Sequence, residues 1–142
     1  MSDTVKTLAA KAEIADLVHT YALNIRRGRP EACSALFTQD ATFEVRDADP
    51  LQPEAAVRRY RKVGREEVAA SIGSSGAASR VFPAIHNLIV TVEGDTASAT
   101  SLMIATVFPS GSELIGDYED KFLHDGEEWR FTSRRYTIYR SP

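Results

Sequence analysis

Three histidines, His19, His86 and His124, and five tyrosines are the side chains of this chain best suited to move a proton or donate one to a developing oxyanion. His86 stands out because it opens the apolar run "AIHNLIVTV" at residues 84–92. An imidazole in such a setting can act as a general acid or base, or can be a core group satisfied by one backbone partner. Both readings stay open on sequence. Tyr21 falls on the apolar spacing Ile14, Leu17, Val18, Tyr21, Ile25, so its ring packs and its hydroxyl is free either to edge a pocket or to polarise a carbonyl. Arg26, five residues on, reads as a helix-end residue or as an anion clamp. His19 and His124 read as surface positions. In "GDYEDKF" alternation sends Asp117 to one face and Tyr118 with Asp120 to the other, so only one set can line a pocket. Asp120 is expected to satisfy a neighbouring strand or an arginine. Asn87 is expected opposite His86 if the strand is regular.

The elements that must hold these groups follow from period and punctuation. Residues 4–27 read as one long amphipathic helix with a stop at Gly28, and Pro30 opens a short second helix carrying Cys33, Leu36 and Phe37. Residues 41–45, "ATFEV", alternate as a strand. Residues 46–63 carry two prolines and no clear period and read as a long loop, with "RRYRK" as its solvated face. Residues 64–73 form a short helix, and "SSGAAS" is a flexible connection without the Lys-Ser/Thr of a phosphate loop. Four β-rich segments then follow, split by "EGD", "PSGS" and "DGEE", which predicts an antiparallel meander with Trp129 and Phe131 in its core. Helices first and a meander afterward mean α+β.

Composition narrows the function classes. A length of 142 residues fits one domain over residues 1–142, and 43% hydrophobic with 26% charged residues is ordinary for a folded chain. Seventeen Lys and Arg against twenty Asp and Glu leave a net charge of -3, which gives no global attraction for nucleic acid or an anionic membrane. The single cysteine, Cys33, cannot form an internal disulfide and has no zinc-ligand spacing around it, so it reads as a small buried hydrophobe and no metal site is expected. No signal region or apolar span occupies the first twenty-five residues, and a cytoplasmic location is the expectation.

The order of "IADLVHTYAL", "EACSALFTQDATF", "GREEV", "HNLIVTVEGDTASATS", "GDYEDKF" and "WRFTSRR" resembles the SnoaL-like branch of the NTF2-like superfamily over nearly the whole chain. The resemblance implies a cone-shaped α+β barrel with helices packed on a curved, mostly antiparallel sheet around a pocket, commonly paired as a homodimer through the sheet's outer face. Val92, Ile104 and Tyr136 are residues expected on that face. Such families include dehydratases, isomerases, cyclases, epoxide hydrolases and non-catalytic modules, so fold does not choose a chemistry. The dehydratase pattern is a pocket Tyr on the first helix, an Asp five residues later, a His opening a central strand and, in some members, an Arg on the last strand. Tyr21, His86 and Arg134 or Arg135 match; Arg26 stands where the Asp would be. Asp117 or Glu119 is a substitute carboxylate.

The expectation is therefore a cofactor-independent lyase or isomerase, dehydratase-like, acting next to a carbonyl on a small hydrophobic molecule. His86 and Tyr21 would be catalytic, and Arg134, Arg135, Arg26 and Asp117 substrate-binding. The alternative, favoured by the missing Asp, is a non-catalytic ligand-binding or subunit module of the same fold. An epoxide hydrolase would need carboxylates bridged by an arginine around a water, which this sequence does not offer at matching positions.

Overall fold

The computed structural model describes residues 2–75 and 78–140. Helix α1 spans Asp3–Arg26, begun by Ser2, whose Oγ accepts from the Val5 amide at 3.2 Å, with Asp3 favourably placed at the positive helix end. Its buried stripe is Ala10, Ile14, Val18, Tyr21 and Ala22. Gly28 reverses the chain at φ +66, a conformation that side chains resist. Helix α2, Pro30–Ser34, is shorter than the sequence implies: Phe37 belongs to the following strand, where its ring packs at 4.9 Å on that of Phe131. Helix α3 spans Arg65–Ile72 and buries Val68. Of the "SSGAAS" connection, Gly76 and Ala77 lie outside the described residues.

Six strands follow the order β2-β1-β6-β5-β4-β3. The last four, β3 (Arg80–Glu93), β4 (Thr96–Phe108), β5 (Ser112–His124) and β6 (Trp129–Tyr139), form the expected antiparallel meander. Two features depart from expectation. Residues 46–63 are not one long loop: β1 runs over Phe37–Ala48 and pairs antiparallel with β2, Val57–Val63. Only the short stretch between them, with a turn of 3-10 helix at Pro53–Ala55, is irregular. Second, β1 runs parallel to β6, and the curved sheet stays open, with β2 and β3 as its edges.

Side-chain alternation gives the sheet two unlike faces. The inner face, toward α1, carries Phe43, Val45, Ala97, Ala99, Met103, Tyr118, Asp120, Phe122, Phe131, Arg134 and Tyr136. Tyr136 and the half-buried Val92 thus belong to the core side rather than to the outer face, as the sequence reading had them. Gly116 is required on β5: a Cβ there would come within 2.0 Å of the Thr137 carbonyl oxygen and 2.9 Å of the Tyr136 ring. Cys33 is buried, and burial pushes its thiol up to about 12. Among the described residues no helix is long and apolar enough to cross a membrane.

Candidate functional site

Between the C-terminal half of α1, the turn into α2, the end of α3 and the inner face of the sheet lies a cavity of about 400 Å³. Its apolar wall comes from Ile25, Phe43, Ile72, Val81, Pro83 and Met103; its polar groups are Tyr21, Tyr60, Tyr118, Ser71 and Ser79, with Arg29 and Arg80 beside Gly28. A few oriented donors in an apolar pocket of this size fit a small organic ligand. Burial holds the Tyr21 and Tyr118 hydroxyls above their ordinary range, so both are protonated donors at neutral pH.

Beneath the two tyrosines lies a buried ion pair. Asp120 on β5 faces Arg134 directly across the ladder to β6, and both side chains are fully buried. Arg134 Nε is 3.0 Å from Asp120 Oδ1 but out of line for a hydrogen bond, Nη2 to Oδ2 is a long 3.4 Å, and Nη1 has no partner. The guanidinium is instead sandwiched by rings, 3.4 Å from the Tyr118 centroid, 4.4 Å from Tyr21 and 4.8 Å from Phe131. Such contacts are worth about 2 kcal/mol or more where water is excluded. Burial raises the Asp120 carboxyl to about 6, against the pull of Arg134. Burial also works against the Arg134 charge, yet Asp120, Tyr118 and Tyr21 together hold it above the ordinary arginine value.

The six residues singled out on sequence are only partly gathered here. Tyr21 lines the cavity and Arg134 lies under its floor. His86 does not: it is exposed on the outer side of β3, so the expected shared wall with Tyr21 is corrected. The cause is local. Leu88, Val90 and Val92 turn inward, and regular alternation would carry His86 with them; a bulge between His86 and Ile89, with Asn87 at φ +52, switches the parity. Upstream, Val81, Pro83 and Ile85 are therefore the inward residues. Asn87 does not oppose His86 either; both are exposed.

Arg26 is exposed at the end of α1 and is not among the residues lining the inner cavity, although its carbonyl accepts from Arg80 Nη1 at 3.3 Å. Asp117 and Arg135 lie on the outer face. There Asp117 accepts from the Tyr139 hydroxyl, and Arg135 reaches Glu44 at 2.8 Å and Glu119 at 3.3 Å. Both line an outer groove of about 520 Å³ together with Arg46, Glu54, Asn87, Ile89 and Thr137. This groove is larger than the inner cavity, and most of its charged groups already have partners: Arg135 meets Glu119 and Glu44, Arg46 meets Glu44, and Asp117 accepts from Tyr139. Glu44 is held by Arg58, Arg135 and Arg46; burial raises its carboxyl, and these arginines outweigh that and lower it.

Sequence reading missed Tyr60, Arg29 and Arg80. Alternation alone does not find Tyr60: it and Arg58, two residues apart, would share a face in a regular strand and part only at the register shift opposite Val45 and Arg46. Arg58 pairs with Glu44 at 2.6 Å, and Tyr60 turns in. Among the described residues no cluster of three or more His, Cys, Asp or Glu could hold a metal ion.

With that geometry in view, the relatives can be placed. A family profile for the SnoaL-like domain matches residues 6–135, and the chain belongs to that family. No curated protein matches the sequence. Among solved structures it is similar to a candidate aromatic-ring-hydroxylating dioxygenase β subunit of Novosphingobium aromaticivorans (21% identity, 95% of this chain and 92% of that one, TM-score 0.78). It also resembles a candidate scytalone dehydratase of the same organism (20% identity, 99% and 89%, TM-score 0.75). A third is a protein of unknown function from Mycobacterium tuberculosis (22% identity, 91% and 76%, TM-score 0.76). At these identities the likeness establishes the NTF2-like fold.

Proposed function

We propose that the inner cavity binds a small, largely apolar molecule bearing a carbonyl or hydroxyl oxygen, and that this binding, rather than acid–base turnover by His86, is the function of the chain. One observation carries the reading. The described lining of the cavity offers protonated tyrosine hydroxyls and arginines but no carboxylate and no imidazole. Such a wall can orient an oxygen and hold a ring without abstracting a proton from it. This is the module alternative of the sequence reading, and similarity to a candidate dioxygenase β subunit is compatible with it.

The test uses N-phenylnaphthylamine, an uncharged dye whose fluorescence rises in apolar sites. The wild-type protein should enhance it, and Ile72→Trp, which fills the cavity from the end of α3, should remove the enhancement with the circular dichroism spectrum unchanged. Undiminished binding to a folded Ile72→Trp protein would overturn the assignment.

A second reading, a lyase or isomerase acting next to a carbonyl, is supported by Asp120, whose carboxyl near 6 lies just behind Tyr118, and by the likeness to a candidate scytalone dehydratase. In it Tyr21 donates to the developing enolate oxygen and Asp120 moves the proton. Deuterium exchange at the α-carbons of β-tetralone, followed by NMR, decides it. Exchange above the buffer rate that Tyr21→Phe and Asp120→Asn both abolish would support turnover; exchange at the buffer rate would end it.

A further inference from the structure

The cavity mouth carries charge that the ligand class just described does not use. Arg29 and Arg80 both line the cavity, and the Arg80 guanidinium lies so close over Gly28 that a Cβ there would meet its Cζ at 2.8 Å. Arg26 and Arg27 precede them in the sequence "RRGR", so four arginines gather where α1 ends and β3 begins. In a chain with more acids than bases, Arg58, Arg59, Arg130, Arg134, Arg135 and Arg140 each meet a carboxylate. Arg29 and Arg80 meet none among the described residues. Arg80 spends one donor on the Arg26 carbonyl and keeps the rest of its fork. No acidic residue stands in the described lining to repel an anion.

Resting on the reading of the cavity as a ligand site, we propose that the ligand is an amphipathic organic anion, its carboxylate or similar oxyanion headgroup held by Arg29 and Arg80 at the mouth. Its apolar body then lies between Ile25, Phe43, Ile72 and Met103, and any oxygen at its far end meets the Tyr21 and Tyr118 hydroxyls. Guanidinium groups suit this task, because they remain charged and offer paired donors to a planar oxyanion.

The experiment compares two dyes with one scaffold, anilinonaphthalene sulfonate and uncharged N-phenylnaphthylamine. Wild-type protein should bind the sulfonate about tenfold more tightly or better, and added salt should weaken only the sulfonate. Arg29→Gln and Arg80→Gln should each weaken the sulfonate by about tenfold while leaving the uncharged dye within about twofold; Arg80→Lys should recover part of the loss. Cinnamate should displace the sulfonate at a concentration about tenfold lower than methyl cinnamate needs, which extends the preference to carboxylates. Equal affinity for the two dyes, or equal weakening of both by the Gln variants, would overturn the proposal. Uncharged-dye binding that Ile72→Trp abolishes, with no preference for charge, would sink only this anion proposal, whereas binding that survives Ile72→Trp would sink the cavity itself.

Discussion

The two faces of β5 carry nearly the same chemistry and use it in opposite ways. On the outer face Asp117 and Glu119 pair with Tyr139 and Arg135 at the edge of solvent; on the inner face Asp120 pairs with Arg134 in complete burial. Outer charges are exchangeable with water and form a ladder in which Glu44 alone is shared by Arg46, Arg58 and Arg135. Inner charges have lost their hydration and recover it from aromatic faces and from each other. A charge on one face adjusts solubility and edge pairing; on the other it fixes the floor of a cavity.

That contrast is breakable by mutation. Asp120→Ala or Arg134→Met leaves an uncompensated buried charge or its partner stranded and should cost about 3–5 kcal/mol in chemical denaturation. The joint replacement Asp120→Leu with Arg134→Met should recover most of this loss; failure to recover would show that the rings, not the ion pair, set the cost. Gly116→Ala comes next, since the added carbon meets the Thr137 backbone first and the buried Tyr136 ring beside it: a loss of about 1–3 kcal/mol is expected. On the outer face Arg135→Gln should cost under about 1 kcal/mol, because its guanidinium remains partly in water.

The pH dependence sharpens the same comparison. Asp120 holds its proton to about pH 6 in the folded chain but only to the ordinary carboxylate range when unfolded, so the folded state binds more protons in that window. Its contribution to stability is fully present below the ordinary range and is lost as pH rises through about 6. Glu44 and Asp47 act in the opposite sense: arginine partners lower both carboxyls, so their contribution is present above the ordinary range and is lost on acidification. The measurement is the difference in stability between wild type and Asp120→Asn across this window, which should shrink as pH rises. A constant difference would remove Asp120 as the inner titrating group.

The smallest predicted effect concerns association. We propose that the outer face, where Ile89 and Ile115 are exposed, pairs with a second copy of the chain. Light scattering should return a dimer mass at micromolar concentration and a shift toward monomer for Ile89→Glu; a monomeric wild type would contradict it.

Much of this architecture was legible because it rests on local pattern. The stripe of α1, the three glycine-bearing turns and the strands between them follow from period and punctuation; alternation along β5 groups Asp120 with Tyr118, while its pairing with Arg134 needed the β5–β6 register. The β1–β2 pair was hidden by prolines and by an arginine-rich strand whose Arg58 and Arg59 pair across the ladder with Glu44 and Asp47. His86 was misplaced for a different reason. A single bulged residue, Asn87, inverts the parity of everything upstream on β3, and one residue of register is enough to move an imidazole from cavity to solvent. The cavity mouth was unreadable because Arg29 and Arg80 lie far apart in sequence and meet only after β3 folds along α1.

An amide NMR titration with N-phenylnaphthylamine decides whether the inner cavity or the outer groove receives the ligand. Binding in the inner cavity concentrates the shifts at Tyr21, Phe43, Ile72 and Met103, with Ile89, Asn87 and Arg135 unmoved. Shifts concentrated at Ile89, Asn87 and Arg135, with the cavity residues silent, would contradict it.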